Sequence, residues 1–176
     1  MKTNKILTSI ILCSSVLSFS CQTNDNKKAA VNQTTALSSD EKEAAKKEIS
    51  GRIEEIIKGA KELNIEAAIK PYSSDTGFKI VNSDASVTDF KTMKNVQAEG
   101  FKTLASMTFT TIKQDFTFLA KDLVMCTWTG KNEFKLKTGE KMKIEPYVGS
   151  MLFRKRDNEW KIVYAHETTA TPVIIK

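Results

Sequence analysis

Apolar residues Ile49, Ile53, Ile56, Ile57, Ala60 and Leu63 recur at spacings of three and four, behind a Ser38 that stands three residues before Glu41. That stripe predicts a long amphipathic helix with one face on a core, and the Ser-x-x-Glu start is a capping box. Asn64 can cap a second, short helix through Ile65, Ala68 and Ile69, which Pro71 ends because it cannot continue the hydrogen-bond ladder. Phe78 to Val81 lies between Ser73-Ser74-Asp75 and Asn82-Ser83-Asp84 and reads as a short strand. A third helix begins near Thr88 or Asp89, with Phe90, Met93, Val96, Phe101 and Leu104 along one side. After Ser106 the texture changes to strand, with four long runs at 108–118, 123–134, 141–154 and 159–168. Turn-forming Lys121-Asp122, Thr138-Gly139 and Asp157-Asn158 separate them. Connections this short imply an antiparallel meander, and Pro146, which has no N–H to donate, requires a bulge or a free edge in the third run. Helices followed by a sheet define an α+β domain. Helices on one face of a long bent sheet enclose a cone, whose open end can hold a pocket.

Ahead of the first helix the pattern is different. Lys2 and Lys5 precede an apolar run from Ile6 to Phe19 that closes on Ser20 and Cys21. A charged start, a short apolar centre and a small residue at the cleavage point form an export signal. The run falls short of the roughly 20 residues of a membrane-spanning helix. Ser20-Cys21 resembles the lipobox of bacterial lipoproteins, in which the signal is cut before the cysteine and the thiol is diacylated. The expectation is a signal at 1–20, a lipid on Cys21 that holds the protein at a membrane, a disordered tether over 21–37, and one domain from 38 to 176. Leu17 stands one step early for the usual aliphatic residue, with Ser18 in its place. Ordinary secretory cleavage with a free Cys21 is the alternative. Gln22, rather than Asp, after the cysteine implies by the same resemblance an outer-membrane protein of the cell envelope that faces the periplasm.

Composition narrows the chemistry. The chain has 27 Lys and Arg against 21 Asp and Glu, a net charge of +6, and two of those lysines leave with the signal. Acids and lysines are interspersed, as in Asp40-Glu41-Lys42-Glu43, with no basic stripe carrying aromatics. This is a solvated surface and excludes a nucleic-acid footprint. With Cys13 removed and Cys21 acylated, only Cys126 remains, so no intrachain disulfide framework is expected. Flanked by Val124, Met125, Thr127 and Trp128, Cys126 reads as a small buried hydrophobe, whereas a catalytic thiol would need His166 as its base. One histidine and one spare cysteine do not make a zinc site. The seven glycines are dispersed without a phosphate-binding or dinucleotide fingerprint, and no Gly-x-Ser-x-Gly occurs. No metal or other cofactor is expected.

The element order, together with the ending Phe153-Arg154-Lys155-Arg156-Asp157-Asn158-Glu159-Trp160-Lys161-Ile162-Val163-Tyr164-Ala165-His166-Glu167-Thr168, resembles the nuclear transport factor 2-like superfamily. Its polyketide-cyclase-like and ketosteroid-isomerase-like branches commonly end in a charged turn followed by Trp-x-Ile-x-x-x-His. Tyr72-Ser73-Ser74-Asp75 is similar to the family's passage from the second helix to the first strand. Asn158 replaces the usual turn glycine and tolerates the same left-handed conformation. The resemblance implies a cone of N-terminal helices on a curved antiparallel sheet. It does not carry the isomerase chemistry over, because the catalytic carboxylate position falls on Ile80 and the oxyanion-stabilising tyrosine on Ile56. Isoleucine neither accepts nor donates a proton.

His166 is the single histidine and the best catalytic candidate. Strict alternation along its strand puts it with Ile162 and Tyr164, facing Tyr147, Gly149 and Met151 of the neighbouring run. There it could act as a general base oriented by Glu145 or Asp75; a lone hydrogen-bonded structural histidine is the plainer alternative. Tyr72, Trp128, Tyr147 and Tyr164 combine apolar bodies with polar tips that suit a pocket wall or a core equally, and Met151 is adaptable filler of either. The candidate pocket is therefore Tyr72, Asp75, Trp128, Glu145, Tyr147, Met151, Tyr164 and His166. Trp160 reads as a packing anchor. The leading expectation is a non-catalytic, lipid-anchored binder of a small apolar or amphipathic molecule. The alternatives are a polyketide-cyclase-like or isomerase-like enzyme using His166, and an interaction module that dimerises through its sheet.

Overall fold

The computed structural model describes residues 37–176, so the predicted signal, Cys21 and all but the last residue of the predicted tether lie outside the described residues. Helix α1 spans Ser39–Lys61 and starts in the predicted capping box: the Ser38 side chain accepts from the Glu41 amide, and the Glu41 carboxylate accepts from the Ser38 amide. Its buried residues Ala45, Ile49, Ile53, Gly59 and Ala60 form the expected apolar stripe. Helix α2, Ile65–Ile69, is capped by Asn64 and lies close on α1. At Gly59 a side chain would collide with the Ala68 backbone, so the missing Cβ is what lets the two helices approach.

Two short strands follow, β1 (Lys79–Val81) and β2 (Val87–Thr88), then α3 (Phe90–Thr103), capped by Asp89. Met93 on α3 is buried and Phe90 packs on the core, but Val96 is 65 % exposed and does not belong to the inward stripe expected of it. Leu104 opens the next strand instead of closing the helix. Four long strands make the predicted meander: β3 (Leu104–Ala120), β4 (Leu123–Leu136), β5 (Lys141–Arg156) and β6 (Glu159–Thr169). A terminal strand β7 (Val173–Ile175), which no hydrophobic alternation announced, pairs with the start of β5.

The sheet order is β2-β1-β6-β5-β4-β3. Every pairing is antiparallel except β1 on β6, which is parallel and joins the first strand to the last long one. The segment after α2 secures that join, since the Ser73 amide donates to the Ile162 carbonyl and the Ile162 amide to the Pro71 carbonyl. The tight turn into β6 places Asp157 and Asn158 both at positive φ, 49° and 60°, the mirror-image hairpin conformation that asparagine and aspartate tolerate.

Two irregularities position everything that follows. Between Gly130 and Asn132 of β4 the register to β5 shifts by one residue around Glu145 and Pro146, so the proline sits in a bulge. On β6, Ile162 pairs with Phe153 and Tyr164 with Leu152, which leaves Val163 without a partner. That extra residue inverts the alternation. Trp160 and Ile162 point into the core before it, and Ala165 and Glu167 point inward after it.

The core between helices and sheet centres on Ile49, Phe78, Ile80, Phe153, Trp160 and Ile162, all nearly inaccessible to solvent. Cys126 is buried in it, and burial pushes its thiol up to about 12, so it packs as a hydrophobe without thiolate character. Among the described residues no helix is long and apolar enough to cross a membrane, and no group of His, Cys, Asp and Glu could hold a metal ion.

Candidate functional site

The cone is not filled. A partly open cavity of about 260 Å³ lies between the helices and the concave face of the sheet. Ile53, Ile56, Ile57 and Ala60 of α1 form its roof with Ala68 of α2, and α3 closes one side with Gln97 and Phe101. The sheet supplies Met107 and Phe109 from β3, Trp128 and Asn132 from β4, Tyr147, Gly149 and Met151 from β5, and Ala165, His166 and Glu167 from β6. Tyr72 completes the wall.

The space exists because of particular side chains. Gly149 sits on the concave face, and a Cβ there would meet nothing closer than the Met151 methyl at 3.9 Å. Gly130 does the opposite job, since a Cβ there would strike the Trp128 ring and the Thr110 carbonyl. The indole therefore folds flat over Gly130 instead of crossing the cavity. Its Nε1 donates to Thr111 Oγ1 at 2.9 Å, so its polar tip is satisfied inside the wall. Phe109, Trp128 and Tyr147 meet edge to face, with ring centroids 5.6 to 6.0 Å apart, as a rigid aromatic corner.

Polar groups are few and aimed. Among the described residues Glu167 is the one carboxylate on the cavity wall, and no lysine or arginine lines it. Burial raises the Glu167 carboxyl above the ordinary glutamate value, and hydrogen bonding from the Tyr147 hydroxyl opposes the rise. The tyrosines respond in kind: burial and the nearby Glu167 charge hold the phenols of Tyr147 and Tyr72 far above the usual range, so both remain protonated donors. Asn132, on the cavity wall, is 3 % exposed, and its Oδ1 has no hydrogen-bond partner.

The sequence-derived site residues separate into three groups. Tyr72, Trp128, Tyr147 and Met151 line the cavity. His166 also borders the cavity, but it pairs with Ser150 and is exposed, and Tyr164 faces outward beside Leu152. Both expectations rested on unbroken alternation from Ile162, which the Val163 bulge interrupts. Asp75 and Glu145 are elsewhere. Asp75 pairs with Arg156 at the surface, and Glu145 pairs with Lys143 at 2.7 Å, which lowers the Glu145 carboxyl. Neither can orient a base in the cavity. Glu167, Asn132 and Gln97 were not expected there. The signal for Glu167 was the three-residue step from Ile162 to Ala165, an odd step where unbroken alternation gives an even one, readable only once the bulge is known.

Neither a protein-family model nor a curated protein sequence matches the chain. Solved structures do. A hexachlorocyclohexane dehydrochlorinase superposes with a TM-score of 0.68 at 11 % identity, covering 79 % of this chain and 94 % of the other. A scytalone dehydratase-like protein from Novosphingobium aromaticivorans gives 0.70 at 8 % identity, covering 79 % and 93 %. A dehydratase-like protein of the nuclear transport factor 2-like family from Streptomyces avermitilis gives 0.61 at 11 % identity, covering 74 % and 99 %. The chain has the nuclear transport factor 2-like fold. At these identities the nuclear transport factor 2-like comparison establishes architecture, and the chemistry has to come from the cavity itself.

Proposed function

We propose that this protein binds a small, mainly apolar molecule in its cone and holds the molecule's polar end at Glu167 and the two tyrosines. The observation that carries the reading is the unfilled cavity: Gly149 leaves space where a side chain would close the core, and aromatic and aliphatic groups form its walls. A pocket with apolar walls and a few convergent polar groups suits such a ligand. Carriage by a lipid on Cys21 fits the signal-like N-terminus and would keep the domain beside a membrane, where apolar molecules partition. Titration of the purified protein with naphthalene, followed by amide NMR, tests the binding. Shifts should concentrate on Phe109, Trp128, Tyr147 and Gly149 and vanish in Gly149→Leu, whereas shifts spread over the convex face would end the proposal. Incorporation of labelled palmitate into the full-length chain in cells, lost in Cys21→Ser, tests the anchor.

A second reading rests on Glu167 alone. A carboxyl raised by burial beside two phenols is a proton-transfer group by its environment, and the structural neighbours include proteins named for elimination chemistry. In this reading Glu167, not His166, takes a proton from a carbon acid, with a tyrosine donating to the developing oxyanion. Exchange of the α-protons of 2-tetralone with deuterated solvent, abolished by Glu167→Gln, would support it. An exchange rate equal to buffer alone would dismiss it.

A further inference from the structure

We infer that the ligand is a molecule of one or two rings that bears no negative charge and carries a hydrogen-bond donor, and that this donor is received by Asn132. The inference rests on the binding reading above and adds what kind of molecule the cavity selects.

Size gives the first limit. An apolar cavity of about 150 Å³ holds a benzene ring, and drug-sized pockets begin near about 300 Å³. At about 260 Å³ this cavity falls between the two, so one ring with substituents or two fused rings fit. The aromatic corner of Phe109, Trp128 and Tyr147 offers ring edges and faces to such a molecule, and a flexible acyl chain would forgo them.

Charge gives the second. Among the described residues no cation lines the wall to receive an anion, and the Glu167 carboxylate would repel one. A carboxylate or phosphate ligand would thus lose its hydration without a counter-charge.

The third limit is Asn132. Its side chain is on β4 opposite Phe109, at a position where the alternation of the strand calls for an apolar residue. It is 3 % exposed, it lines the cavity, and its Oδ1 accepts no hydrogen bond from the protein. A buried acceptor without a donor from the protein destabilises the fold, and a donor that arrives with the ligand would satisfy it. Glu167 and Tyr147 hang from different strands than Asn132, so a ring spanning the cavity can be read at two places. A hydroxyl or N–H on the ring satisfies Oδ1, and an ether or a bare ring does not.

Four probes of one shape test this: 2-naphthol, 2-methoxynaphthalene, naphthalene and 2-naphthoate, with affinities from amide NMR titration of the purified protein. The expected order is 2-naphthol about tenfold tighter than 2-methoxynaphthalene, the size of one hydrogen bond to a buried group, with 2-naphthoate weakest. The Asn132 side-chain amide resonance should move with 2-naphthol alone. In Asn132→Leu, which keeps the shape, the preference for the naphthol should disappear while naphthalene still binds. Equal binding of all neutral probes to the native protein, which needs no variant to fold, would overturn the role of Asn132 and leave the cavity reading intact. Tightest binding of 2-naphthoate would overturn the charge selection. Failure of all four would remove both this inference and the reading beneath it.

Discussion

Glu167 lies directly across from Gly149 on the neighbouring strand β5, so the carboxylate on the cavity wall faces a residue with no side chain. Most inward positions of this sheet meet a packed partner, as Val124 meets Phe153 and Cys126 meets Met151. Here the partner is space. The pairing joins the two properties of the site, an unfilled volume and a titratable group held partly out of water.

The stability of the protein should carry the signature of that group. A carboxyl whose folded value is raised keeps its proton where the unfolded chain has released it. Its contribution is therefore most favourable below the ordinary glutamate value of 4.5 and is lost as pH rises through the raised folded value. Glu167→Gln preserves the shape without the charge, so it should flatten this slope and resist urea better than the native chain above that window. Urea unfolding at a series of pH values reads the difference, and identical slopes would place the carboxyl in water.

Gly149→Leu is expected to fold, because the new side chain enters open space and the nearest neighbour is a flexible methionine methyl. Burying it should leave stability within about 1 kcal/mol of the native protein or raise it. Naphthalene affinity should fall at least tenfold. Retained affinity, measured by the same NMR titration, would locate the binding elsewhere.

Gly130→Ala should behave in the reverse manner. The added methyl meets both the Trp128 ring and the Thr110 carbonyl, and the indole has to leave its position. A cost of about 1–3 kcal/mol is expected for such overpacking, with a changed near-ultraviolet dichroism from the displaced tryptophan. Chemical denaturation monitored by that signal gives both quantities.

His166→Ala should change little. The imidazole is exposed, so stability should remain within about 0.5 kcal/mol and affinity for 2-naphthol should be unaltered. A tenfold loss of affinity would restore the histidine to the site.

Much of the architecture was legible because it rests on local chemistry. The Ser38 and Glu41 capping box, the Asn64 cap, the break at Pro71 and the Asp157-Asn158 turn each depend on a few adjacent residues, and each is formed. The α+β order followed from the switch in period near Ser106, and the Pro146 bulge from a missing N–H. What was not legible depends on partners distant in sequence. The parallel contact of β1 with β6 and the late strand β7 are decided by the edges available to them. In the site, Tyr72, Trp128, Tyr147 and Met151 were found from side-chain type alone and His166 does border the cavity, while one uncounted residue moved His166 from the expected place opposite Gly149 to Ser150 and turned Tyr164 outward. Asn132 was hidden for another reason: an asparagine in a strand reads as a surface residue until the strand is seen to be buried on that face.

The unpaired Val163 divides β6 into two halves whose reading frames are out of phase. Straightening the bulge, with Val163 taking the place opposite Leu152, would slip the second half by one residue and turn Tyr164 and His166 inward and Glu167 outward, whereas deleting Val163 would keep Glu167 facing the cone. The same strand thus stores two alternative chemistries, one built on an imidazole and one on a carboxyl. Strand register at this one position, and not the identity of any side chain, decides which of the two faces the cone.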